Sequence, residues 1–139
     1  MNSARRTLCA TGALLAVTAL SGCALANFLI WGPEATEVID ETEAYIDLAA
    51  AGDADALACE GTTIDTGDAE IWIDLAAGEP EQFNADYWEQ VEDADASWTI
   101  NIEGSGPAPI GTKVPGSLVF KDTEEGLCVV HLEWATMIG

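Results

Sequence analysis

Apolar and polar residues change their spacing along this chain, and the changes divide it into three parts. No residue between Thr7 and Gly32 is charged. From Pro33 to about residue 95 the apolar residues mostly recur every three or four positions, which is the spacing of a helix with one buried face. From Ser97 the period changes, and over residues 98–102 apolar and polar residues alternate, as they do in strands with one buried face. The pattern therefore predicts helices first and strands afterwards.

The longest predicted element is an amphipathic helix over residues 33–51. Pro33 suits the first position of a helix, and Gly52 favours its end. Shorter helical segments are predicted to follow over residues 54–60, 69–77 and 80–93. The middle segment contains Ile71-Trp72-Ile73, a run that is equally compatible with a strand.

The last third of the chain predicts an antiparallel meander. Its strands are expected over residues 98–102, 112–120 and 127–134, with a bulge at Pro115-Gly116 and a tight turn over 122–126. The third strand is apolar at nearly every position, which is typical of a strand that is buried on both faces or central. Helices followed by such strands indicate an α+β fold, with N-terminal helices packed on one face of an antiparallel sheet of three or more strands.

Charge is distributed very unevenly. The 25 acidic residues all lie at or after Glu34, whereas Arg5 and Arg6 precede the apolar stretch, and Lys113 and Lys121 are the only other basic residues. Without the two arginines the side-chain charge is −23. Such a surface repels nucleic-acid phosphates and anionic lipid headgroups, so it excludes nucleic-acid binding and adsorption to a membrane through a basic patch. No spacing typical of a metal or cofactor site is present, and none is predicted.

The N-terminus has the organisation of a signal peptide. Arg5 and Arg6 precede an uncharged, mostly apolar run over residues 8–20, which is followed by Leu20-Ser21-Gly22-Cys23. These four residues resemble the bacterial lipobox. The resemblance implies a signal peptide over residues 1–22, acyl chains such as palmitate on Cys23, and an apolar tether over 23–32. The remainder, 33–139, is then a single acidic domain, anchored by lipid on the extracytoplasmic face of the cell membrane.

An uncleaved signal anchor remains an alternative for this segment. The uncharged stretch from Thr7 to Gly32 is long enough to span a bilayer. The domain would still lie outside, because Arg5 and Arg6 would keep the N-terminus in the cytoplasm.

The four cysteines have different predicted fates. Cys9 lies in the segment to be removed, and Cys23 is the lipidation site, which leaves Cys59 and Cys128. An oxidising compartment favours a disulfide between them, although two separately buried thiols remain an alternative.

The opening of the domain carries a second resemblance. Residues 44–57, with the Gly52-Asp53 step between two helices, resemble the first helices of the nuclear transport factor two-like superfamily. The resemblance implies a cone-shaped, cystatin-like or nuclear transport factor two-like α+β fold with a pocket between helices and sheet. Some members are isomerases or cyclases that use a pocket carboxylate as the base. No catalytic residue of such enzymes can be carried over to a position of this chain.

One cluster of side chains is a candidate pocket. His131 and Glu133 are two positions apart on one predicted strand, so they share a face. If that face lines a pocket, the carboxylate can orient the imidazole as a general base, although a lone histidine is more often a hydrogen-bonded structural residue. Trp98 and Trp134 are candidates for an aromatic lining, although core packing is the more common role of such tryptophans. We therefore expect a non-enzymatic envelope lipoprotein that binds a partner protein or a small apolar ligand. The alternative is a pocket enzyme of the isomerase or cyclase type that uses a carboxylate or His131.

Overall fold

A computed structural model describes the backbone of residues 13–104 and 109–138 and the side chains of 29–104 and 109–138. The chain forms two compact units, Met1–Thr36 and Glu37–Gly139. Helix α1, Ala13–Ala50, is interrupted at Gly32, whose φ of 83° and ψ of 173° are not helical. Pro33 disfavours a helical conformation in the residue before it, which explains the interruption. Among the residues whose side chains are described, no helix is long and apolar enough to cross a membrane.

The second unit contains the end of α1, three short 3-10 helices and one antiparallel sheet. The 3-10 helices are Ala54–Leu57, Ala69–Trp72 and Glu89–Ala94. The strands are β1 Leu75–Gln82, β2 Trp98–Gly104, β3 Lys113–Thr123 and β4 Gly126–Thr136, hydrogen-bonded in the order β1-β2-β3-β4. The α+β class is therefore confirmed.

The predicted end of the long helix is also confirmed. Gly52 has a φ of 81°, and its N–H donates to the carbonyl of Ala49 at 3.1 Å. The N–H of Asp53 donates to the carbonyl of Leu48 at 2.8 Å. This pair of bonds is a Schellman motif, which satisfies carbonyls that the end of a helix leaves without a partner.

The two helices predicted over residues 69–77 and 80–93 are wrong. The middle of this region is strand β1, which pairs with β2 and places Pro80 opposite Ile100. The register shifts between Ala77 and Pro80, and such a bulge on an edge strand accommodates proline, which has no N–H to donate. Pairing with β2 outweighs the local helix preference of the alanines. Helical turns remain only at Ala69–Trp72 and Glu89–Ala94.

The prediction that the last strand is central is wrong as well. β4 lies at one edge of the sheet, and β2 and β3 are the central strands. Its apolar composition has a different cause, because a register shift opposite Val119 and Phe120 changes which residues face the core. Val129 and Leu132 are both buried, three positions apart. The bulge predicted at Pro115-Gly116 is confirmed by a register shift between Pro115 and Ser117.

The segment that contains Ala58 and Cys59 covers part of the free edge of β4. Residues 54–60, predicted as a helix, form only the 3-10 turn Ala54–Leu57 and then an extended stretch. Ala58 makes a parallel bridge to Val129, and the Cys59 N–H donates to the Val129 carbonyl at 2.9 Å. The predicted disulfide between Cys59 and Cys128 is confirmed, with the two Cα atoms 4.8 Å apart.

Aromatic side chains fill the core between the end of α1 and the sheet. Trp72, Tyr45 and Phe120 are the largest of its fully buried side chains. The rings of Tyr45 and Trp72 meet edge to face, with centroids 5.5 Å apart, and the Trp72 indole N–H donates to the Thr66 carbonyl at 2.8 Å. The partner for the indole N–H explains how a tryptophan is buried here without leaving a polar atom unpaired.

Candidate functional site

One cleft lies beside the disulfide. It has a volume of about 820 Å³ and lies between the end of α1, the segment after the first 3-10 helix, and the β3–β4 hairpin. Cys59 and Cys128 form part of its wall. Five carboxylates and one ammonium also line it: Glu37, Glu41, Glu60, Glu124, Glu125 and Lys121.

We call this cleft the acidic cleft, and its negative charge affects the pKa of Glu41. Burial raises the pKa of the Glu41 carboxyl above its ordinary value of 4.5, and the neighbouring charges of Glu37 and Asp40 raise it further. A site that already disfavours its own negative charge also disfavours an anionic ligand. In the described part of the chain, no group of three or more histidine, cysteine, aspartate or glutamate side chains is placed to hold a metal ion.

A smaller cleft of about 280 Å³ lies on the face of the sheet opposite the core, and we call it the outer cleft. Its lining comes from the central strands, from β1 and from the β1–β2 connection: Glu79, Glu81, Trp88, Thr99, Ile100, Asn101 and Ser117. Strand register explains the grouping, because Glu81 pairs with Thr99 and Asn101 pairs with Ser117. Paired residues on neighbouring strands present their side chains to the same face.

The predicted contact between His131 and Glu133 is present. The imidazole Nε2 lies 2.7 Å from Glu133 Oε2, and the amide nitrogen of Gln90 donates to the same oxygen at 3.2 Å. The histidine side chain is 27% exposed and that of the glutamate 44%. Neither residue lines the acidic cleft or the outer cleft. The pair instead joins the Glu89–Ala94 helix to β4, which holds the β1–β2 connection against the sheet.

The other two predicted pocket residues lie elsewhere. Trp98 and Trp134 are partly buried and pack against the core cluster. They lie on the core side of β2 and β4, whereas His131 pairs with Val119 and Glu133 with Ser117 on the outer side. The structure therefore does not bring the four residues together into one pocket.

Sequence reasoning did not identify the residues of the outer cleft. Trp88 and Glu81 lie in the segment 80–93 that the pattern predicts as a helix, and Glu79 lies just before it. The alternation Thr99-Ile100-Asn101 was the one available signal, because it placed Asn101 and Thr99 on the outer face of a predicted strand.

The structure does not test the predicted lipidation site. Cys23 belongs to α1, but its side chain is outside those that the structure describes. The lipobox, the signal peptide and the membrane anchor therefore stay predictions. No protein-family model, no curated protein and no solved structure matches this chain.

Proposed function

We propose that this chain is an exported lipoprotein, anchored by acyl chains on Cys23, whose acidic domain binds a partner on the extracytoplasmic face of the membrane. The observation that carries the proposal is the packing of the domain. Trp72, Tyr45 and Phe120 fill the space between helix and sheet, and the two clefts open at the surface. Binding at the surface suits a partner protein better than a small apolar ligand, since carboxylates line both clefts.

The disulfide supports export. Cys59 and Cys128 are linked in the fold, and structural disulfides persist mainly in oxidising compartments. A signal peptide ending in Leu20-Ser21-Gly22-Cys23 would deliver the chain to such a compartment.

A pocket enzyme of the isomerase or cyclase type remains the second candidate, and the contact between His131 and Glu133 is the observation that favours it. A carboxylate 2.7 Å from the imidazole can fix its orientation for proton transfer. The pair lines neither of the two clefts, however, so a substrate would need to reach it on the outer surface.

The anchor is tested by labelling cells with an alkyne analogue of palmitate. We expect the wild type to be labelled and Cys23→Ala to remain unlabelled and uncleaved. Cys9→Ala is the matched control, because it removes a cysteine from the segment that is predicted to be cut off, and its labelling should equal that of the wild type. Labelled Cys23→Ala would contradict acylation at Cys23, and a wild-type chain whose mass still includes residues 1–22 would support the signal anchor instead.

Binding is tested by photo-cross-linking in intact cells. A photoreactive residue replaces Glu124 in the acidic cleft, Glu81 in the outer cleft, or the control residue Ile110, which is 77% exposed and lines neither cleft. We expect a defined partner band from at least one cleft position and none from position 110. Equal cross-linking at all three positions, or none at either cleft, would contradict a binding role for these surfaces.

A further inference from the structure

The outer cleft combines one aromatic ring with a set of neutral and acidic hydrogen-bonding groups. Trp88 lies among the hydroxyls of Thr99 and Ser117, the amide of Asn101, and the carboxylates of Glu79 and Glu81. No lysine or arginine is among the residues that line it. Because the charged members of the set are hydrogen-bond acceptors, the cleft favours a ligand that donates hydrogen bonds and carries no negative charge.

The position of Trp88 is fixed by a hydrogen-bonded connection. The Asp86 N–H donates to the Asn84 side chain at 3.0 Å, and the Trp88 N–H donates to the Ala85 carbonyl at 3.2 Å. The Phe83 N–H donates to the Ser97 carbonyl at 3.0 Å, so both ends of the connection are joined. A connection whose backbone is already ordered loses little further conformational freedom when a ligand binds beside it.

Asn101 is oriented by the bulge of β1. Its side-chain oxygen accepts the Glu79 N–H at 2.7 Å, which fixes the oxygen and nitrogen positions of the amide, since a backbone N–H only donates. The amide also lies against Gly78, at a place that any Cβ on that residue would fill. The Asn101 nitrogen is therefore presented as a donor beside β1, on the outer face of the sheet, which Ser117 shares from β3.

The volume limits the size of the ligand. At about 280 Å³ the outer cleft is just below the range of drug-sized pockets, so it accommodates one ring rather than an extended molecule. A pyranose has apolar C–H faces that stack on an aromatic ring, and its equatorial hydroxyls both donate and accept hydrogen bonds. We propose that the outer cleft, through Trp88 and Asn101, binds one neutral pyranose ring of an extracytoplasmic glycan. The inference rests on the proposed function only for the location of that glycan.

The test is a titration of the purified full-length chain with methyl glucoside, methyl galactoside, methyl mannoside and N-acetylglucosamine. A polyoxyethylene detergent is used, because headgroups that contain a sugar or a quaternary ammonium would compete with the ligands. Saturation-transfer NMR and tryptophan fluorescence report binding. For so small a ligand we expect at least one pyranoside to bind with a Kd on the order of 1 mM.

Variants locate the binding. Trp88→Ala should weaken it about tenfold or more, and Trp88→Phe, which keeps a ring, should weaken it less. Tyr87→Ala is the matched control, because it removes the neighbouring aromatic side chain, which is 81% exposed and does not line the cleft. Circular dichroism confirms that each variant is folded. Equal binding by wild type and folded Trp88→Ala, or the same loss in Tyr87→Ala, overturns the proposal.

Charged ligands test its chemistry. Glucuronic acid should bind more weakly than methyl glucoside, because Glu79 and Glu81 repel its carboxylate. Choline tests the rival in which Trp88 and the carboxylates hold a cation, and choline that binds more tightly than every pyranoside overturns the sugar assignment. Absence of binding by all four pyranosides at roughly tenfold above the expected Kd also overturns it. None of these results depends on palmitate labelling, so failure of the sugar proposal can be distinguished from failure of the proposed anchor.

Discussion

The disulfide between Cys59 and Cys128 offers the sharpest test of how this fold is held together. The perturbation is the double variant Cys59→Ala/Cys128→Ala, which removes the link and leaves no unpaired thiol at either position. The bond joins the extended stretch after the first 3-10 helix to the edge strand β4. The bond lowers the conformational entropy of the unfolded chain, and its loss restores that entropy and so favours unfolding.

The expected magnitude follows from the length of the closed loop. The two cysteines are separated by 69 positions, for which the chain-entropy relation gives about 4 kcal/mol at 25 °C. The backbone hydrogen bond from residue 59 to Val129 can still form in the variant, and it contributes about 1 kcal/mol to the attachment of this stretch to β4. A loss of about 4 kcal/mol is a large part of the 5 to 15 kcal/mol typical of a domain. It corresponds to a fall in Tm of roughly 15 to 30 °C for a unit of this size.

The assay is thermal and urea unfolding of the full-length chain, followed by circular dichroism. Reduction of the wild type should reproduce the loss, and the same reductant should leave the double variant unchanged. A double variant within about 1 kcal/mol of the oxidised wild type would refute the reasoning, because the closed loop would then contribute almost nothing to the free energy of unfolding. Thiol labelling of the unreduced protein should find neither Cys59 nor Cys128 free.

Three further substitutions and one control, Ile73→Ala, test other parts of the fold by urea unfolding. Gly52→Ala should cost about 1 to 2 kcal/mol, because Gly52 has a φ of 81° with open space around it; an unchanged stability would contradict the assigned helix end. Trp72→Ala should cost about 3 to 5 kcal/mol, whereas Ile73→Ala, at a side chain that is 58% exposed, should change stability by less than about 0.5 kcal/mol. Glu41→Gln should raise stability at neutral pH, because burial and then its acidic neighbours raise the pKa of Glu41 and the ionised form disfavours folding. That advantage should fade as the pH falls through this raised pKa towards 4.5, where the wild-type carboxyl takes up its proton; a gain that persists in acid would contradict it.

The elements that sequence reasoning predicted well are those whose signals are local. The end of α1 depends on Gly52 and on carbonyls within one helical turn, so the glycine alone was informative. The contact between His131 and Glu133 follows from a spacing of two on one strand. The disulfide required only that two cysteines remained after the others were assigned to the signal peptide and the lipid.

The errors fall where distant partners decide the structure. Residues 75–77 are Leu-Ala-Ala and favour a helix in isolation, yet they pair with β2 residues more than 20 positions later. Pro80 suits the start of a helix and equally a bulge at a sheet edge, and only the neighbouring strand distinguishes the two. β4 was interpreted as central because it is apolar, whereas Cys59 and Ala58 cover part of its edge from another region of the chain.

The outer cleft could not have been predicted for the same reason. Its polar groups come from three strands whose register sets which of them are neighbours, such as Asn101 and Ser117. Trp88 joins them from the β1–β2 connection, whose backbone is held by hydrogen bonds such as that from Phe83 to Ser97. Neither the register nor the path of the connection is present in a local pattern, so a cleft of this kind becomes visible only in the assembled fold.

The charge of the domain makes the proposed anchor at Cys23 testable in a second way. A side-chain charge of −23 repels anionic headgroups, so the acidic domain contributes no electrostatic affinity for a membrane. If acyl chains on Cys23 supply the whole attachment, then salt should not release the wild type, because burial of hydrocarbon is insensitive to ionic strength. A chain released by cleavage between positions 22 and 23 without lipid should fractionate as a soluble protein at every salt concentration. Salt-sensitive attachment of such a chain would show that the domain itself binds a charged surface. That result would contradict the conclusion that the acidic domain contributes no electrostatic affinity.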